Sequence, residues 1–102
     1  MKKLEGIFIK AGFRHELVKR LHDIAIFKRT QLGLPRFHYE VVQIGSHNGY
    51  NMGTAYIIPA ETYPGNSLWG IRGWTCTTLE HAEKVYDKLQ KKRSRKRQKV
   101  AA

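Results

Sequence analysis

The sequence predicts an α+β domain in the order β-α-β-β-β-α: one mostly antiparallel sheet, two helices packed on one of its faces, and a basic C-terminal tail. Three observations lead there. Apolar residues recur at helical spacing in two separate stretches, β-branched and aromatic residues crowd the region between them, and Lys91 to Lys99 contains no apolar residue to bury. With 102 residues, 41% hydrophobic and 11% aromatic, the chain can fill one small core. The expected organisation is a single domain over 1–90 and a tail over 91–102.

Leu4 to Lys10 is a short β-rich run closed by Ala11-Gly12, and reads as an opening strand. From Phe13 the period changes: Leu17, Leu21, Ile24 and Ala25 fall at i, i+4, i+7 and i+8, the stripe of an amphipathic helix running to about Leu32, where Gly33 and Pro35 would stop it. Phe37 to Ile44 and Thr54 to Ile58 flank a Gly/Asn-rich turn and read as a hairpin. Leu68 to Cys76 supplies the third strand of a meander. Thr77-Thr78-Leu79-Glu80 has the form of a capping box, and Leu79, Ala82, Val85, Tyr86 and Leu89 give a second helix to about Gln90. Leu17, Leu21, Ile24, Ala82, Val85 and Leu89 should then be buried together against the sheet.

Nineteen Lys and Arg against eight Asp and Glu give a net charge of +11. The excess is uneven: +5 lies in residues 1–33, none in 34–76 and +6 in 77–102. Apolar runs stop at four or five residues, far below the roughly 20 that cross a bilayer, and Lys2-Lys3 is not followed by a signal-type apolar region. The single cysteine, Cys76, excludes an internal disulfide and a cysteine zinc site, and suits the cytoplasm or another reducing intracellular compartment. No membrane, metal or cofactor is expected.

The tail Lys91, Lys92, Arg93, Arg95, Lys96, Arg97 and Lys99 holds seven cations in nine residues. Such a run repels itself, and a phosphate backbone relieves that repulsion with release of counterions. On the expected first helix, His15, Lys19, His22 and Arg29 share the polar face with Arg14 and Lys28 beside them, a cationic ridge suited to phosphates. His15 and His22 stand about 10 Å apart along such a helix, with no third metal ligand in view.

Gly45-Ser46-His47-Asn48-Gly49-Tyr50, followed by a strand ending Tyr56-Ile57-Ile58-Pro59, resembles the Gly-Ser-His segment of HicA-type mRNA interferase toxins. The resemblance implies RNA cleavage with His47 as general acid/base; read from the residues alone, Ser46 and His47 are ordinary turn formers. The helix, three-stranded meander, helix order over Phe13 to Gln90 is similar to the double-stranded RNA-binding domain, although Leu79-Glu80-His81-Ala82-Glu83 is acidic where that family carries lysines. Trp74 to Asp87 resembles the strand-to-helix junction of plant ethylene-response-factor DNA-binding domains, whose sheet is arginine-rich where this one is neutral. The reading adopted from charge is a nucleic-acid-binding protein, favouring structured RNA over DNA through phosphate contacts, within a ribonucleoprotein that could add protein partners. It favours a non-enzymatic role; a His47-dependent ribonuclease and a phage- or plasmid-type protein that blocks a host factor are the alternatives.

Overall fold

Residues 13–31 form two extended strands and no helix. The computed structural model describes residues 1–101, with side chains through Ser94. Its strands are β1 (Ile7–Lys10), β2 (Phe13–Leu21), β3 (Ile24–Gln31), β4 (Phe37–Gln43), β5 (Gly45–His47), β6 (Tyr50–Met52), β7 (Ala55–Ile57), β8 (Ala60–Thr62) and β9 (Gly73–Cys76). Among the described residues there is one α-helix, α1 (Leu79–Ala101), after the last strand. The main sheet has the order β1-β2-β3-β4-β9 with every neighbour antiparallel.

This corrects the expected β-α-β-β-β-α order, because the first helix does not exist. Phe13 to Gln31 is a hairpin, β2 against β3, turning at His22, whose φ is +58°. Ile24, Ala25, Ile26 and Phe27 are all buried, as in a strand covered on both faces. Ile24 and Ile26 face α1, whereas Ala25 and Phe27 face the opposite side. Leu17 and Leu21, the other half of the supposed helical stripe, are 40% and 52% exposed. The expected joint burial therefore holds for Ile24 and Ala82, with Val85 and Leu89 packed beside them, and fails for these two leucines.

The β1–β2 turn is Ala11-Gly12 with both φ values positive, as in the primed turns that match strand twist. β4 was expected to pair with the strand directly after it. Its added partner is instead β9, while Gly45 to Thr62 forms an arm of two ribbons, β5 with β8 and β6 with β7.

The last helix forms where its spacing places it. Thr78 Oγ1 accepts the His81 N–H at 3.1 Å, so Thr78 is the N-cap, one residue later than the capping-box register. Leu79, Ala82, Val85, Tyr86 and Leu89 lie on Ile24, Ile26, Val41 and Cys76. The stripe continues in polar form: Gln90 Nε2 donates to the Leu21 carbonyl at 3.0 Å and Arg93 Nε to Asp23 Oδ1 at 2.6 Å. At 1.5 Å per residue the 23-residue helix is about 34 Å long, and it carries the basic run onward as helix to Ala101.

The opposite face of the sheet is covered by the segment returning from the arm. Glu61 fixes that segment, accepting Arg20 Nη1 at 2.9 Å and Nη2 at 2.5 Å and the Leu4 N–H at 2.9 Å. These bonds, the Arg20 pair foremost, hold its carboxyl at a pKa of about 2. Tyr63 and Trp69 then pack over Ala25, Phe27, Val42 and Ile44.

Candidate functional site

Antiparallel register places four ionisable side chains of the central strands, His15, Arg29, His38 and Glu40, on the face away from α1. His15 pairs with Arg29, Arg29 with His38, and Phe27 with Glu40, so Glu40 sits one row beside all three. Its side chain is 2% exposed and fully engaged. Oε1 accepts the Tyr63 hydroxyl, and Oε2 accepts Arg29 Nη1 at 3.1 Å and faces His38 Nε2 at 3.3 Å. His15 Nε2 stands 3.9 Å from Oε1. A buried carboxylate is tolerable only with such pairing.

Aromatic rings fix the cluster. Phe8 stacks on His15 at 4.6 Å with 7° between planes, Tyr63 meets His15 edge-on at 5.1 Å, and the Arg29 guanidinium lies 3.7 Å over Phe13. Burial lowers the His15 pKa below its ordinary value, overriding the opposite pull of Glu40, and keeps the imidazole neutral. Burial, reinforced by Glu40, pushes the Tyr63 phenol upward, so it remains a donor.

The cluster forms the floor of a cavity of about 430 Å³ roofed by the Tyr63–Trp69 segment, with Lys10, Ala11 and Thr75 at its sides. Trp69 is held by its Nε1–H donating to Thr75 Oγ1 at 3.0 Å. Gly73 lets the indole lie against the strand, since a Cβ there would occupy the Trp69 ring.

The sequence-derived site residues separate. Loss of the first helix removes the single cationic ridge: alternation sends Arg14, Lys19 and Lys28 to the α1 side, His15 and Arg29 to the cavity side, and His22 into the turn. Arg14 is paired with Glu16 at 3.4 Å, Lys19 with Glu83 at 3.7 Å, and Lys28 lies over the Phe37 ring at 4.4 Å. Lys91 and Lys92 are exposed on α1, Arg93 is bound to Asp23, and the side chains of Arg95, Lys96, Arg97 and Lys99 lie outside the described residues. His47 is in β5, where its Nδ1 accepts the Gly49 N–H at 3.1 Å and its ring meets Tyr50 at 5.2 Å. Among the described residues no carboxylate pairs with it, and no cluster of His, Cys, Asp and Glu has the makings of a metal site.

Sequence reasoning gives Glu40 and His38 no role. The available signal was Glu40 itself, a lone carboxylate between Tyr39 and Val41-Val42 in a β-rich run. No described helix is long and apolar enough to cross a membrane. Compared with protein-family models, with curated proteins and with solved structures, the chain matches none at a significant level.

Proposed function

We propose that the chain binds nucleic acid, structured RNA in preference to DNA, by laying its basic C-terminal helix on phosphates. The observation that supports this most is the continuity of the basic run with a docked helix. Residues 79–93 are anchored on the sheet by an apolar stripe and then by the Gln90–Leu21 and Arg93–Asp23 bonds, so the cations that follow start from a fixed direction. A preorganised helix loses less conformational freedom on binding than a disordered tail.

Charge bookkeeping favours the same element. Six of the eight carboxylates, Glu16, Asp23, Glu40, Glu61, Glu80 and Glu83, stand beside cations elsewhere or at the helix start. Among the described residues Lys88, Lys91 and Lys92 have no carboxylate within 4.0 Å, and beyond the Asp23-bound Arg93 the sequence carries four more cations. Contacts of this kind position a protein on a backbone without reading bases. A reducing intracellular setting fits Cys76, whose thiol pKa burial raises. The exposed Tyr50, Met52 and Tyr56 of the β6–β7 ribbon, with exposed Ile58 directly after it, favour, as a second reading, attachment to a protein partner.

The test replaces Arg95, Lys96, Arg97 and Lys99 by glutamine, which preserves helix propensity. Affinity for a structured RNA, an unrelated RNA and a DNA duplex is followed by fluorescence anisotropy over a salt series. Each lost phosphate contact flattens the log–log salt slope by about 0.7 to 0.9, so four give at most about 2.8 to 3.6. An unchanged slope on all three ligands refutes the proposal, and equal or tighter binding of the DNA duplex refutes its RNA preference.

A further inference from the structure

The five-stranded sheet ends at β1, and that edge is open. The Leu17 N–H donates to the Gly6 carbonyl at 2.7 Å, and bonded pairs alternate along an antiparallel hairpin, so Phe8 with His15 and Lys10 with Phe13 exchange the remaining β1–β2 bonds. The N–H and C=O groups of Ile7 and Ile9 therefore point out of the sheet, and among the described residues no other backbone group meets them. Their side chains are 58% and 66% exposed on the α1 side, beyond the strands that the apolar stripe of the helix covers.

An edge of this kind is ordinarily guarded by a proline, a bulge or an inward charge. Ile7-Phe8-Ile9 has none of these, and the one charge of the strand, Lys10, stands at its end. The opposite edge is partly closed: the Gly73 carbonyl accepts the Gly70 N–H at 2.7 Å, and Trp69 is tied to Thr75. A molecule with one open edge pairs with the same edge of a copy, and the assembly stops at two.

Register and charge both suit that partner. Antiparallel pairing of two β1 strands about Phe8 sets Ile7 opposite Ile9 of the second copy and Ile9 opposite its Ile7. Both are bonded pairs and use only strand residues. Centring on Ile9 would instead bring Ile7 to Ala11, which lies in the turn with φ +53°, and centring on Ile7 would bring Ile9 to Glu5, outside the strand. The four isoleucines then form two adjacent cross-strand pairs on one face, and Phe8 meets Phe8 on the other. In a chain of net charge +11, the side chains beside the isoleucines are Arg14 and Glu16, already paired at 3.4 Å, and Lys10 falls opposite Gly6 of the copy. No like charges meet at the junction.

We infer that the protein forms a two-fold dimer by joining β1 to β1 of a second copy, merging the two sheets into one. Opposite residues share a face, so the dyad stands perpendicular to the sheet and both α1 helices lie on the same side, about 30 Å apart by strand spacing. That distance exceeds the Debye length of about 8 Å, so the basic helices do not oppose the pairing. The dimer does not depend on the helix reading, since none of its contacts lies on α1.

Sedimentation velocity of the full chain from about 5 to 500 µM tests it, with Ile7→Lys/Ile9→Lys as the blocking variant. Both positions are exposed, so the variant should melt as wild type does. Wild type should move toward twice the monomer mass, and the variant should need at least about tenfold higher concentration to do so. Ile7→Cys and Ile9→Cys proteins, mixed under mild oxidation, should cross-link to each other, because a bonded pair sets Cα atoms about 5.5 Å apart, within disulfide reach. Each alone should cross-link far less. A wild type that stays monomeric up to about 500 µM, a dimer undiminished in the folded lysine variant, or single cysteine variants that cross-link as well alone as mixed, overturns the assignment. The variant with glutamine at 95, 96, 97 and 99 keeps the edge and should dimerise as wild type does, so this inference and the helix reading fail separately.

Discussion

Replacing Glu40 by glutamine tests whether the buried cluster organises the open side of the sheet. The substitution keeps the shape, and the amide oxygen can still accept the Tyr63 hydroxyl. The amide nitrogen then takes the place of Oε2, setting a donor against Arg29 Nη1. Removing one partner of a fully buried ion pair costs about 3 to 5 kcal/mol. Arg29 is 25% exposed, so water recovers part of its solvation, and the expected loss is about 2 to 3 kcal/mol. For a domain of this size that lowers Tm by about 8 to 24 °C. Circular-dichroism melts and urea unfolding of wild type, Glu40→Gln, Arg29→Gln and the double variant complete a cycle, in which the two singles should be non-additive by about 1 to 2 kcal/mol. A loss under about 0.5 kcal/mol for Glu40→Gln, or strict additivity, refutes the argument that this carboxylate anchors the cluster.

Two further outcomes follow from the same contacts. Because the neutral His15 is favoured in the fold, the unfolded chain binds more protons just below pH 6.5; stability is therefore full above that pH and declines on acidification, by at most about 1.4 kcal/mol per pH unit. Glu61, depressed to about 2, adds a separate loss beginning near its unfolded value of 4.5, so urea unfolding from pH 7.5 to 3 should fall in two stages, and His15→Leu should reduce the first. Parallel curves for wild type and variant between pH 7 and 5 contradict this. Asp23→Ala releases Arg93 and Gln43, both partly solvated, and should cost about 1 kcal/mol locally, a roughly fivefold faster amide exchange in residues 90–94; unchanged protection there shows that the clasp does not hold the helix.

The last helix could be read because its determinants are local: an N-cap at Thr78 and apolar residues that recur along a single element. The hairpin of residues 13–31 escaped for a definite reason. Pairing shifts between Leu17 and Lys19, leaving Val18 as the extra residue of a bulge. Ahead of it His15 and Leu17 share the cavity side, and beyond it Lys19 and Leu21 fall on the α1 side, so alternation breaks phase in mid-strand. The surviving spacing of Leu17, Leu21, Ile24 and Ala25 then imitates a helix. Ile24 to Phe27, covered on both faces, shows no alternation either. The β4–β9 pairing escaped because its partners are more than 30 residues apart and separated by an arm that pairs with itself.

The cavity follows from how unequally the two sheet faces are covered. A helix lays a continuous apolar stripe on β3, β4 and β9 and closes that side. The opposite face receives only the Tyr63–Trp69 segment, which carries Pro64, Gly65 and Asn66 and has few side chains large enough to reach the strands between its two aromatic ends. Filling that space with apolar residues at positions 15, 29 and 40 would be the simpler way to stabilise a sheet, since well-packed hydrophobic groups equal or exceed buried ion pairs. Instead Glu40 and Arg29 sit on adjacent central strands, with His15 beside Arg29, and Glu61, through its bonds to Arg20 and Leu4, holds the roof that keeps them from bulk water. The result is a rigid, desolvated polar cluster on the less covered face, fixed by ion pairing and hydrogen bonds where the other face is fixed by apolar packing.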